Sequence, residues 1–251
     1  HQQLAFEMLQ CAAIGPMGVD NVFFRAFCKG FRMQCHEQTI DLYSIVRSFC
    51  GGAEEFVQSA ETSIIKSFDD LNLRMHVNLG GVSTQKLTEA FADSGPSFEG
   101  RTFEEIFREF LETTGTPCPQ LLESIKERFS SKVDLDDIAS PTFRMKLLCW
   151  SVTGAPRIMH EGEPLRVQLV EDDDSFYIPA GMQADRRHQY ISLGTCSFKT
   201  CTRSLRIPAS YLIKLLHTSY DPLSELSSAK VAVHHWLLVQ MLDAVESYTM
   251  A

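Results

Sequence analysis

The chain has 251 residues, of which 44% are hydrophobic and 22% are charged, and its formal net charge is −9. This length and hydrophobic content are sufficient for one large core or two smaller ones. The negative charge argues against nucleic acid or an anionic membrane as a partner, since both select basic surfaces. No apolar run reaches the roughly 18–20 residues that cross a bilayer. The longest candidate, residues 231–245, is interrupted by polar side chains.

The eight cysteines of the chain are widely spaced, and no two of them form a Cys-x-x-Cys pair. A chain of this length does not need disulfides for stability, so we expect reduced thiols and a cytoplasmic or nuclear protein. The spacing also predicts no structural zinc site, and we expect no cofactor. The chain begins at His1 without a signal segment, and we expect it to be a piece of a longer protein.

Apolar spacing predicts that the first part of the chain is helical. Aromatic residues recur at helical intervals, with Phe23, Phe27 and Phe31 on one face. Gly and Pro residues separate the periodic segments, as expected between helices. The predicted helices cover residues 1–14, 20–32, 38–50 and 53–71.

Strand patterns appear only in the second half of the chain. Residues 102–112 still give a clear amphipathic helix, with phenylalanines on one face and acidic residues on the other. Alternating apolar and polar residues then predict a strand over residues 165–170. Helices followed by short strands with helices around them predict an α+β fold. Further helices are predicted over 84–92, 121–129, 143–150 and 229–248, and further short strands over 191–193 and 204–207.

The clearest candidate for chemistry is Cys201, within Lys199-Thr200-Cys201-Thr202-Arg203-Ser204-Leu205-Arg206-Ile207-Pro208. Its place just before a short strand predicts a thiol on a surface loop. If Lys199, Arg203 and Arg206 are also close in space, their charges favour the thiolate. The thiolate is the attacking species in acyl transfer through sulfur. From the residues alone, the alternative is that Cys201 is a small core residue.

The same segment resembles the active-site signature of HECT-type ubiquitin ligases, Thr-Cys-Phe-Asn-x-Leu-x-Leu-Pro. The matching positions are filled by Thr200, Cys201, Leu205, Ile207 and Pro208. Thr202 and Arg203 stand where the family has Phe and Asn. The other Thr-Cys pair in this region, Thr195-Cys196, is not followed by leucine at the fourth position after the cysteine. The resemblance therefore selects Cys201.

Three other segments resemble the same family, in the order in which the family has them. Residues 24–33 are similar to the Phe-x-Ala-Phe-x-x-Gly-Phe helix of the N-lobe, and residues 46–51 to the segment where the N-lobe ends. Residues 147–154 resemble the Leu-Leu-x-Phe-x-Thr-Gly segment that leads into the C-lobe. Tyr248 matches an aromatic residue that the family places fourth from the C-terminus.

The resemblance implies both an architecture and an activity. Residues 1–55 would be the helical end of an N-lobe, and residues 56–251 an α/β C-lobe with helical insertions. The chain would accept ubiquitin from a ubiquitin-conjugating enzyme as a thioester on Cys201 and transfer it to a lysine of a protein substrate. Swinging between lobes needs a hinge, which we place at Gly51 and Gly52.

The resemblance also gives the neighbours of the thiol their expected roles. Thr200 would position the loop, and Tyr248 would anchor the tail in the loaded state. Lys199 and Arg203 would stabilise the thiolate, an inference from their charge alone. The family's docking subdomain for the conjugating enzyme lies mostly before residue 24, so we expect activity to require a longer chain.

Three other functions remain open from the sequence. A HECT-like module that has lost catalysis would act as a scaffold, since the two residues after the cysteine depart from the signature. A cysteine hydrolase would pair Cys201 with one of His217, His234 and His235. A helical interaction module would use its cysteines only in its core.

Overall fold

The computed structural model describes residues 32–35, 38–41, 63–129, 138–158, 163–173, 177–178 and 181–248. The chain divides into two compact units, His1–Thr62 and Ser63–Ala251. The described residues hold both helices and sheets, and the predicted α+β class is confirmed. The finer division into an N-lobe and a C-lobe stays a prediction.

In the first unit, the described residues form an antiparallel pair of strands. Strand β1 (Arg32–Cys35) pairs with β2 (Gln38–Asp41) in a register that places Met33 opposite Ile40. The helix predicted over 38–50 is therefore wrong at its start. A β-branched residue such as Ile40 favours an extended backbone, which a prediction from apolar spacing alone does not weigh. The predicted hinge glycines, Gly51 and Gly52, lie outside the described residues.

The second unit contains a four-stranded mixed sheet with the strand order β3–β4–β6–β5. Its strands are β3 (Met75–Asn78), β4 (Leu165–Val170), β5 (Ser197–Lys199) and β6 (Ser204–Pro208). Strands β3, β4 and β6 are parallel, whereas β5 runs antiparallel to β6. The N-terminal ends of the three parallel strands therefore share one edge of the sheet with the C-terminal end of β5.

The described part of the second unit also contains eight α-helices. They are α1 (Phe68–Asn72), α2 (Thr84–Asp93), α3 (Phe103–Glu112), α4 (Pro119–Phe129), α5 (Phe143–Thr153), α6 (Ala184–Ser192), α7 (Ala209–His217) and α8 (Ala229–Tyr248). Helix α3 begins at a capping box, in which Thr102 Oγ1 accepts from the Glu105 amide and the Glu105 carboxylate accepts from the Thr102 amide. No described helix is both long enough and apolar enough to cross a membrane.

Two predicted elements are corrected by these helices. The strand predicted over 191–193 is wrong, because Ile191 belongs to the last turn of α6. The helix predicted over 53–71 is also wrong over 63–67, which is not helical. Helix α1 starts only after Ser67, whose hydroxyl caps it by accepting from the Asp70 amide.

The core of the second unit lies between the sheet and its helices. Val167 in β4, Ile207 in β6 and Leu148 in α5 are fully buried, as is Leu238 in α8. Helices α5 and α8 contact each other, and α7 contacts both β6 and α8. Burying one such side chain contributes about 1.5–3 kcal/mol. Strand β6 is therefore a well-anchored base for the turn that precedes it.

Candidate functional site

Cys201 lies on a short 3₁₀ turn, Thr200–Thr202, which joins β5 to β6. Among the described residues, Cys201 is the exposed cysteine, whereas Cys118, Cys149 and Cys196 are buried. The alternative in which Cys201 is a core residue is therefore wrong. Its thiol is placed where another protein can reach it.

The turn is closed by Arg203, which has an unusual backbone conformation. Its φ of 46° and ψ of 49° place it in the left-handed region, and no other non-glycine residue in the described part of the chain has a positive φ. Such a conformation costs about 1–2 kcal/mol for a residue with a side chain. It persists only where the surrounding contacts hold it.

Contacts on both sides hold Arg203 in place. Its amide donates to the Thr200 carbonyl at 3.3 Å, and its own carbonyl accepts from the Arg166 amide of β4 at 2.9 Å. Its guanidinium Nη1 donates to the Glu163 carbonyl at 3.0 Å. The turn that bears Cys201 is thus tied to the start of β4.

Helix α5 contacts the same turn. Gly154 ends α5 with a φ of 79° and donates its amide to the Trp150 carbonyl, the usual role of a glycine at this position. Thr153 Oγ1 donates to the Cys149 carbonyl at 2.7 Å. Thr153 and Arg203 line one cavity of about 20 Å³. Two segments that resemble the ligase family, residues 147–154 and 199–208, therefore meet in space.

The three basic residues expected near the thiol have different positions. Lys199 ends β5, and Arg206 lies within β6 opposite Ser197. Arg203 uses one guanidinium nitrogen to hold the Glu163 carbonyl. The geometry gives Arg203 the role of an anchor for the turn. Stabilisation of a thiolate by Lys199 and Arg203 stays a prediction.

Cys196 has the opposite environment, although it lies only five residues earlier in the chain. Its side chain is 4% exposed, and burial raises the pKa of its thiol. Its amide donates to Gln240 Oε1 of α8 at 2.8 Å. Just before it, the Gly194 carbonyl accepts from Trp236 Nε1, also at 2.8 Å. Cys196 is therefore part of the packed frame.

The structure contains a Cys–His pair whose cysteine is Cys118. Cys118 Sγ lies 3.4 Å from His235 Nδ1, and burial lowers the pKa of His235. His234 is 5% exposed and lies 3.3 Å from an Arg144 guanidinium nitrogen. Burial and this neighbouring charge lower the pKa of His234 to about 4. Both histidines proposed from α8 as hydrolase partners of Cys201 thus contact other groups.

Sequence reasoning missed the Cys118–His235 pair. The two residues are 117 positions apart, and neither lies in a recognisable motif. Of the remaining expected site residues, Thr200 is exposed at the start of the turn. Tyr248 is the last residue of α8, and its role as a tail anchor stays a prediction. Within the described ranges, no group of three or more His, Cys, Asp or Glu side chains is placed to hold a metal ion.

Comparisons of the chain with models of known protein families, with curated proteins and with solved structures found no match. The resemblance to HECT-type ligases therefore depends on the motifs of this sequence. Their relative positions in the folded chain can support or weaken it.

Proposed function

We propose that this protein accepts ubiquitin from a ubiquitin-conjugating enzyme as a thioester on Cys201 and transfers it to a lysine of a protein substrate. The observation that carries the proposal is the meeting of two motif segments at one exposed thiol. Helix α5 contacts the turn that bears Cys201, and Thr153 near the end of this helix lines one cavity with Arg203. Chance similarity of separate short motifs gives no reason for them to be neighbours in the fold.

The chemistry requires a thiol that two other proteins can approach in turn. In loading, the Cys201 thiolate attacks the carbonyl carbon of the incoming thioester. A new C–S bond forms, and the sulfur of the conjugating enzyme leaves as a thiolate. In transfer, a lysine amine attacks the same carbon, a C–N bond forms and the C–S bond to Cys201 breaks. The amine loses one proton, and the Cys201 thiolate regains one.

The backbone of Arg203 gives a second line of support. The family signature has Asn at this position, and Asn adopts the left-handed conformation more readily than most residues. Arg203 has this conformation here. The turn therefore has the geometry that an Asn would favour, although the side chain differs. The bond from Arg203 to the Glu163 carbonyl offsets part of the strain.

The remaining residues have supporting roles in this proposal. Thr200 positions the turn, and Lys199 and Arg203 bring positive charge near the thiol. Tyr248 anchors the chain end in the loaded state, and the hinge lies at Gly51 and Gly52. The reaction takes place in the cytoplasm or nucleus, where thiols stay reduced.

The test is a loading assay on a non-reducing gel. A conjugating enzyme charged with ubiquitin is mixed with the longest form of the protein that can be expressed. We expect an adduct that added thiol removes and that Cys201→Ala abolishes. Cys201→Ser should instead give an ester that resists thiol but yields to hydroxide, which identifies the attacking atom.

Two results would reject the proposal in favour of another function. No adduct with several conjugating enzymes, when the docking lobe is present, would indicate a scaffold that only binds. Thiol-sensitive labelling that persists in Cys201→Ala and disappears in Cys118→Ala would point to the Cys118–His235 pair instead.

A further inference from the structure

Arg144, the second residue of α5, is buried, and no carboxylate in the described part of the chain pairs with it. Its side chain is 1% exposed. Its Nη1 donates to the Phe110 carbonyl at 3.0 Å, and its Nη2 donates to the Gly115 carbonyl at 2.9 Å. The first of these carbonyls lies in the last turn of α3, where helix carbonyls lack a partner within the helix. Arg144 therefore ties the end of α3 and residues 113–118 to the start of α5.

His234 of α8 is the second group of this buried cluster. Its Nδ1 lies 3.3 Å from Arg144 Nη1, and its ring meets the Phe110 ring edge-on, with 5.5 Å between the centroids. A guanidinium group has donors and no acceptor. The Nδ1 that faces it must therefore be the acceptor, so His234 is neutral and carries its proton on Nε2.

The charges around His234 oppose a second proton on its ring. Burial, followed by the charge of Arg144, lowers the pKa of His234 to about 4. Lys230 and Arg101 lower this pKa as well, and Glu109 raises it. Glu109 is shared between two ion pairs, one with Arg101 and one with Lys230. Its charge is thus already balanced where a protonated His234 would need it.

We propose that Arg144 and His234 form an acid-sensitive latch, which opens when His234 takes up a proton and then releases residues 113–118 from α5 and α8. A protonated imidazole has two donors and no acceptor, so the bond from Arg144 would be lost. Two positive charges would then face each other in a site without water, which is unfavourable unless the site opens.

Cys118 reports the opening, because it is the last residue of the released segment. Its thiol is buried, and its Sγ lies 3.4 Å from His235 Nδ1, one position after His234 in α8. Arg144 and His234 lie within the first two turns of their helices, whose later turns pack in the core. We therefore expect a local opening in which the sheet stays folded.

The direction of the pH effect follows from the two states of His234. Its pKa is about 4 in the closed latch, against an ordinary value of 6.5 once the latch is open and the ring is in water. The open state thus binds the proton more readily. Opening should become easier as the pH falls below about 6.5, and the effect should level off below about pH 4.

The test measures how fast the Cys118 thiol reacts with dithiodipyridine in the full chain. Each rate is divided by the rate of a cysteine-containing peptide at the same pH, which removes the titration of an ordinary thiol. We expect this ratio to rise about tenfold from pH 7.5 to pH 5. Mass spectrometry assigns the modified residue. A ratio that stays constant over this range would overturn the inference.

Three substitutions identify the residue that takes up the proton. His234→Gln is neutral at every pH and offers an amide oxygen to Arg144, so Cys118 should stay protected in acid. His188→Gln is the matched control, since His188 is exposed on α6, and it should keep the full rise. His235→Gln should raise the rate at every pH and keep the rise in acid. A rise that is lost in His235→Gln and kept in His234→Gln would assign the effect to the wrong histidine for this latch.

Amide hydrogen exchange of the unaltered protein tests the same opening without any substitution. After correction for the intrinsic pH dependence of exchange, residues 113–118 should lose protection between pH 7.5 and pH 5, whereas β4 and β6 should keep theirs. Equal loss in all of these segments would mean that acid unfolds the whole unit, and the latch would be rejected. Neither measurement involves ubiquitin, so its outcome is independent of the function proposed for Cys201.

Discussion

The dipeptides Thr195-Cys196 and Thr200-Cys201 have the same two residues and opposite surroundings. Cys196 is 4% exposed, and side chains of α8 bind the backbone on which it sits. Cys201 is exposed on a turn, which main-chain bonds and the Arg203 side chain tie to its neighbours. The short strand β5 separates the two. The burial of each cysteine is thus decided by the elements that pack over it, because the same Thr-Cys dipeptide is buried in one place and exposed in the other.

The two segments depend on each other. Under the proposed function, the Cys201 thiol meets two other proteins in turn, so it has to be exposed and also has to keep one position. An exposed thiol has little packing around it, so neighbouring residues have to hold it in position. The segment from Gly194 to Cys196 holds one end of β5 in place, because Trp236 and Gln240 of α8 form hydrogen bonds to its backbone. Substitutions that weaken this segment should therefore lower the free energy of unfolding more than substitutions in the Cys201 turn.

Gly194→Ala should have the largest effect on stability. A Cβ at Gly194 would lie 2.2 Å from the Tyr211 ring, and the φ of 64° adds backbone strain. We expect a loss of about 3 kcal/mol or more in the free energy of unfolding, measured with urea. Gly100→Ala is the control, since Gly100 has a φ of 70° but open space around its Cβ position. It should cost only about 1 kcal/mol. Similar losses in both variants would contradict the close approach.

Thiol alkylation should distinguish the two cysteines by about two orders of magnitude in rate. Cys201 reacts from the native state, whereas Cys196 must wait for local opening, and its raised pKa further slows it. Mass spectrometry of the modified peptides gives a rate for each site. In strong denaturant the two rates should come within a few-fold of each other. Comparable rates in the native protein would show that the segment around Cys196 is not held as described.

Gln240→Leu tests the bond that holds Cys196. The Cys196 amide donates to Gln240 Oε1 at 2.8 Å, and leucine leaves that amide without its acceptor. We expect a loss of about 1–2 kcal/mol, together with faster alkylation of Cys196. Gln240→Glu keeps an oxygen acceptor and should cost less. If leucine and glutamate have the same effect, the hydrogen bond is not the cause.

The sequence allowed good prediction wherever the pattern is local. The amphipathic α3 and the alternating β4 have enough residues for their periods to be read. The predicted position of Cys201 just before a strand is confirmed, because the residues that follow it in sequence indicate that strand. Strand β3 has four residues and β5 has three, too few for a period to appear. Ile191 was wrongly placed in a strand because a single apolar turn of α6 is equally compatible with both.

Contacts between distant residues could not be predicted. His76 pairs with Arg166 in the sheet register, and Cys118 meets His235 across 117 positions. No local pattern links such partners, because tertiary packing alone brings them together.

The smallest effect should come from the backbone of the Cys201 turn itself. Arg203→Gly and Arg203→Ala both lose the bond to the Glu163 carbonyl, so their difference isolates the strain at a φ of 46°. Glycine adopts this conformation without a Cβ penalty, and we expect Arg203→Gly to be more stable than Arg203→Ala by about 0.5–1 kcal/mol. Urea unfolding of the two variants measures it.

The same pair of substitutions at Arg187 provides the control, because this arginine lies in α6. In a helix, alanine is favoured over glycine by about 1 kcal/mol, so the sign should reverse. If alanine is the more stable residue at both positions, Arg203 is not held in the left-handed region in solution. The turn would then lack the geometry that an Asn favours, and this support for the ligase signature at Cys201 would be lost. If the sign reverses as expected, the surrounding contacts hold Arg203 in a left-handed conformation that an arginine does not prefer, and the Cys201 thiol lies on that turn.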